Sequence, residues 1–165
     1  ADALDEMSER TGIAADKLAG LEYVAAQTGT SLQSLVELLG RMTDKASDAA
    51  NGSERAARVF KTMGISVTDA NGALRSQEEM LGDIADKFKG YADGSAKVAL
   101  AQEVFGRGGR QLIPLLNQGR EGLAAMTELA AEAMKNIPFA VLLGFADALP
   151  LSFVVARNTG AASAR

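Results

Sequence analysis

Six consecutive residues, Phe105-Gly106-Arg107-Gly108-Gly109-Arg110, have the composition of an anion cradle. Glycines free backbone N–H groups, and two guanidinium groups supply positive charge. A P-loop would follow a strand and close on Gly-Lys-Ser/Thr; this segment does neither. It therefore reads first as a helix–turn–helix corner needing unusual backbone angles, with its arginines in solvent. Asp69, Asn71 and Gly72 open like a calcium loop. The fifth-position ligand would be Ala73, however, and the glycine falls two places early, which leaves a solvated turn. Glu78-Glu79 and the Asp83/Asp86 pair have the residue types for glycosidic acid–base work. Nothing marks one carboxylate as protonated beside an ionised neighbour, so a wetted helix face accounts for them. The methionines, Met7, Met42, Met63, Met80, Met126 and Met134, fall mostly on apolar helical faces and read as adaptable core packing.

Two absences narrow the chemistry further. The chain has no cysteine, hence no disulfide, thiol nucleophile or thiolate metal site. It also has no histidine, which removes the commonest general base and the commonest metal ligand. The expectation is a protein without catalytic, cofactor-binding or metal residues. With 17 Lys+Arg against 21 Asp+Glu, the net charge of −4 argues against nucleic-acid affinity built on bulk charge. Apolar residues at 47% can build a core within 165 residues, one domain's worth of chain. The start at Ala1, acidic rather than basic, is unlike a secretory signal or transit peptide and reads as part of a longer chain.

The elements that must position these residues are helices, punctuated by 17 glycines. A first helix is expected over Asp2–Arg10, stopped by Gly12, and a second over Ala14–Gln27, with Leu18, Leu21 and Ala25 on one face. Thr30-Ser31-Leu32-Gln33 reads as a capping box in which Thr30 and Gln33 satisfy free N–H groups. Leu32, Leu35, Leu39 and Met42 then form an apolar stripe. Gly52-Ser53 closes the third helix and caps a fourth that buries Ala56, Val59, Phe60 and Met63, before Gly64-Ile65 stops it. Turn chemistry at Asp69–Gly72 leads to a fifth helix from Ser76, burying Met80, Ile84 and Phe88. A sixth covers Ser95–Phe105, followed by a sharp break at Gly106, Gly108 and Gly109. A short helix around Gln111–Asn117 tolerates Pro114 near its first turn, and an Ala-rich helix spans Glu121–Lys135. One continuous rod would reach roughly 250 Å at about 1.5 Å per residue, and the glycine stops forbid it. The expectation is an all-α fold of short amphipathic helices packed as helical hairpins over residues 1–135.

Composition changes after Asn136. The last 30 residues carry only Asp147, Arg157 and Arg165 as charges, with two of the three prolines. Ile137–Ala156 is about as long as a bilayer crossing. Pro138 and Pro150 interrupt it, and Asp147 near its middle costs roughly 3 kcal/mol on insertion scales. The segment 136–157 is expected to be buried or partner-docking, and 158–165 to be a frayed tail.

Several segments together resemble the tape measure proteins of tailed bacteriophages, in the region upstream of their long rod. They are Leu4-Asp5-Glu6-Met7-Ser8-Glu9-Arg10-Thr11-Gly12, Leu21-Glu22-Tyr23-Val24-Ala25-Ala26, and Ala57-Arg58-Val59-Phe60-Lys61-Thr62-Met63-Gly64-Ile65 with Asp69-Ala70-Asn71-Gly72-Ala73-Leu74-Arg75. The most specific block is Asp93-Gly94-Ser95-Ala96-Lys97-Val98-Ala99-Leu100-Ala101-Gln102-Glu103-Val104-Phe105-Gly106-Arg107, leading into Leu112-Ile113-Pro114-Leu115-Leu116-Asn117-Gln118-Gly119. The likeness covers roughly residues 1–135; the apolar stretch beyond departs from it.

The resemblance implies a structural, non-enzymatic protein of the virion tail lumen, made in the host cytoplasm, that helps to set tail length. Its implied partners are the tail tube protein, tail assembly chaperones, distal tail or baseplate proteins and other copies of itself. It implies no nucleic-acid specificity, and membrane contact only during ejection. A second reading, a holin-like or pore-forming membrane-active helical protein, rests on 137–156 alone.

Overall fold

Hydroxyl side chains set where three of the helices begin. The Ser31, Ser53 and Ser76 side chains accept from the backbone N–H groups of Ser34, Ala56 and Glu79, each three residues ahead. Each thus satisfies one of the donors that a helix start leaves free. Ser53 and Ser76 cap where expected. The third helix differs: its cap is Ser31, and Thr30 is buried, its hydroxyl donating across the fold to the Gln111 carbonyl at 3.3 Å. The physical reason is that Thr30 closes the previous helix, its N–H donating to the Ala25 carbonyl at 2.7 Å. Its backbone is committed to that turn before the cap can form.

The computed structural model describes residues 3–136, and over them the fold is all-α. The helices are α1 (Ala3–Thr11), α2 (Ala15–Gln27), α3 (Leu32–Ala50), α4 (Glu54–Met63), α5 (Gln77–Gly90), α6 (Ser95–Phe105), α7 (Ile113–Leu116) and α8 (Gly119–Asn136). A 3₁₀ helix, Arg107–Leu112, joins α6 to α7. Among the described residues the single extended feature is an isolated antiparallel bridge, Thr68–Leu74, at the foot of the 69–72 turn. The expectations for 137–165, including the apolar segment, lie outside the described residues.

The end of α4 shows how glycine sets a boundary. Gly64 sits in the left-handed region (φ 69°, ψ 30°); its N–H donates to the Lys61 carbonyl and that of Ile65 to Phe60. This Schellman arrangement uses up two terminal carbonyls and turns Ile65 back into the core beside Phe60.

The core forms around α3. Leu35, Leu39, Met42 and Ala46 are fully buried, and α3 touches α2, α4, α5, α6 and the 3₁₀ helix. Phe60, Phe88 and Phe105 pack there from α4, α5 and α6, each contributing about 1.5–3 kcal/mol by burial. α8 lies across α2 and α5, so the end of the described chain closes over its beginning. Gly20 permits this: a Cβ there would stand 2.4 Å from the Thr127 carbonyl oxygen.

Candidate functional site

The residues that carry the resemblance are mostly those that shape the fold. The Thr11 hydroxyl donates to the Met7 carbonyl (2.8 Å) and accepts the Ile13 N–H, while Gly12 (φ 73°) donates to the Ser8 carbonyl. Gly72 (φ 82°) completes a turn in which one Asp69 carboxylate oxygen accepts the N–H groups of Asn71 and Ala73. That oxygen is engaged by backbone, which braces the turn. Phe105, Leu112 and Leu115 are fully buried; Pro114 stands in the first turn of α7; Arg10 and Arg107 are exposed.

Lys97 was not legible as a buried group. Its side chain is 4% exposed, and its ammonium donates to the Tyr91 carbonyl (3.0 Å) and to the Asp93 carboxylate (3.1 Å). It fastens the loop between α5 and α6, where Phe88 and Tyr91 meet edge to face at 5.9 Å.

The Gly/Arg segment is a corner. Gly106 takes φ 85°, ψ −170°, a region open essentially to glycine alone. The expected break at Gly108 and Gly109 is corrected: both lie inside the 3₁₀ helix, and neither has positive φ. They are small because neighbours press close. A Cβ on Gly109 would lie 2.3 Å from the Ala101 carbonyl oxygen, and one on Gly108 3.2 Å from Leu38. Arg107 and Arg110 are exposed beside the C-terminal end of α6, whose free carbonyls favour cations over a phosphate. Lys45 already donates to one of them, at Glu103.

The acidic pairs on α5 are more than a wetted face. Asp83, 27% exposed, pairs with Arg75 at 2.6 Å on one side and with Arg120 of α8 on the other. Asp86 accepts the Arg120 backbone N–H at 2.7 Å, at the start of α8, so α5 carboxylates hold α8 in place. Gly82 makes room, since the Arg120 guanidinium would meet a Cβ there at 3.2 Å.

Beside this network lies a groove of about 410 Å³ between α2, α5 and α8, the candidate functional site. Ile13, Leu21, Leu81 and Leu123 form its apolar floor; Asp16, Lys17, Glu78, Glu79, Arg120 and Glu128 form its rim. Lys17 and Glu78 meet at 2.6 Å, both about half exposed, and tie α2 to α5. That hydrogen bond and the Glu78 charge raise the Lys17 ammonium above its usual 10.5, with Asp16 and Glu128 adding to the rise. In the neighbouring part of α2, burial raises the Tyr23 phenol above 10.0. Of the residues singled out in the sequence, Leu21 and the Glu78-Glu79 pair line the groove; the others do not, because its walls come from helices far apart in the chain. The signal that was present is Gly20 and Gly82, glycines inside helices that mark close approach.

Among the described residues, no three Asp or Glu side chains gather as a metal site, and no helix is long and apolar enough to cross a membrane. No protein-family model, curated protein or solved structure matches this chain.

Proposed function

We propose that the chain is a structural component of bacteriophage tail assembly, part of a tape measure protein that occupies the tail lumen and helps to set tail length. The observation that carries this reading is the ordered run from Gly64-Ile65 through the Gly72 turn to Phe105-Gly106-Arg107 and Leu112-Ile113-Pro114-Leu115-Leu116. Its support from the fold is that these residues act as stops, turns and buried anchors, the parts of a scaffold. Tail tube subunits, assembly chaperones and distal tail proteins are the partners this role requires, and it needs no turnover of substrate. The reading frames beside its gene test the proposal: a major tail protein and chaperones should lie upstream and distal tail genes downstream. A setting without tail genes, or failure of the purified chain to bind those chaperones, refutes it.

The apolar composition of 137–156 favours one second reading, a membrane-active protein. Co-sedimentation of the full chain with liposomes, against a version ending at Asn136, separates the two. Equal binding by both versions removes the membrane reading.

A further inference from the structure

We infer that the groove between α2, α5 and α8 docks a basic amphipathic helix, two to three turns long, from a partner protein. Three observations lead there, and they hold whatever the chain's wider role.

The first is shape. Along α8 the lining residues Arg120, Leu123, Ala124, Thr127 and Glu128 recur at helical spacing over two turns, about 12 Å at 1.5 Å rise per residue. A volume of about 410 Å³ can take the few apolar side chains that a helix presents at i, i+3 or i+4, and i+7.

The second is the floor. Leu21, Leu81 and Leu123 come from three different helices and converge there. An incoming apolar face would remove what is left of their exposed surface from water.

The third is charge. Both cations of the rim are already engaged, Lys17 by Glu78 and Arg120 by Asp83 and Asp86. Asp16, Glu78 and Glu128 all act on the one Lys17 ammonium, and only Glu78 touches it. Asp16 and Glu128 have no cation of their own among the described residues, and Glu79 holds only a long contact to Arg75, 3.6 Å. Carboxylate is in excess, so a helix flanked by Lys or Arg is drawn in and an acidic one is repelled.

The test uses the full chain and two synthetic helical peptides with leucines at i, i+4 and i+7, one flanked by lysines and its twin by glutamates. Fluorescence anisotropy should show saturable binding of the lysine peptide alone. The double variant Asp16→Lys, Glu128→Lys should bind it roughly tenfold more weakly, as reversal of two rim charges implies. Ala124→Trp, at an exposed position on the groove wall, should abolish binding while the circular dichroism stays that of the parent. No binding of either peptide, equal binding of the glutamate twin, or binding unchanged in these variants overturns the inference. So does sedimentation showing that the chain fills the groove with a second copy of itself and that Ala124→Trp breaks that dimer. If the lysine peptide binds only to a chain ending at Asn136, the groove belongs to the chain's own C-terminal segment and the partner helix is refuted.

Discussion

Gly109 stands directly against Ala101: a methyl group on the glycine would lie 2.3 Å from the alanine's carbonyl oxygen. The 3₁₀ helix after α6 thereby folds back onto α6 itself, backbone against backbone. Gly109→Ala should therefore lower stability by about 2–3 kcal/mol, since the obstacle is main chain that cannot step aside. Gly108→Ala meets only the end of Leu38, at 3.2 Å, and should cost less than about 1 kcal/mol. Urea denaturation of the two variants checks the contrast; equal losses would show that the corner yields as a unit.

Gly106 makes a different demand. Its φ of 85° with ψ of −170° lies where a side chain clashes with its own backbone, and the Arg41 guanidinium lies over it. Gly106→Val should cost about 1–3 kcal/mol. Adding Arg41→Ala should recover little of it, because the strain is within the residue. Thermal unfolding of the single and double variants measures this, and full recovery would place the cost in the Arg41 contact instead.

Lys97 is held by one exposed and one main-chain oxygen. Lys97→Met leaves the Tyr91 carbonyl without its donor and should cost about 1–3 kcal/mol. Asp93→Asn, at a side chain 85% exposed, should cost under about 1 kcal/mol. Hydrogen exchange over residues 91–98 should quicken in the first variant and stay near parental in the second.

Alkaline pH should weaken the fold from two sides. Both the Lys17 ammonium and the Tyr23 phenol have folded pKa values raised above their ordinary 10.5 and 10.0. A raised folded pKa means that the protonated form is favoured on folding, so its stabilisation is complete below those values and lost as pH rises through the folded ones. The urea midpoint should hold through neutral pH and fall above about pH 10. Lys17→Met and Tyr23→Phe should each flatten the fall. The Lys17 share stays small, under about 1 kcal/mol, because solvent screens a half-exposed pair. A midpoint indifferent to alkali would contradict both shifts.

What could be read directly from the chain was whatever a few neighbouring residues decide among themselves. Ser53 and Ser76 cap the residue three ahead, Gly64 with Ile65 ends α4, and Leu32, Leu35, Leu39 and Met42 share one face of α3. Hydrogen bonds and side-chain spacing over one or two turns suffice for these, so composition and period reveal them. Thr30 already shows the limit, because its hydroxyl found a partner 81 residues away and the cap passed to Ser31. The seat of α8 on Gly20, the burial of Lys97, Asp83 between Arg75 and Arg120, and the α2–α5–α8 groove were settled only in three dimensions. Each depends on which apolar faces meet and how closely two backbones approach, and that follows from packing the whole core rather than from any local stretch of sequence.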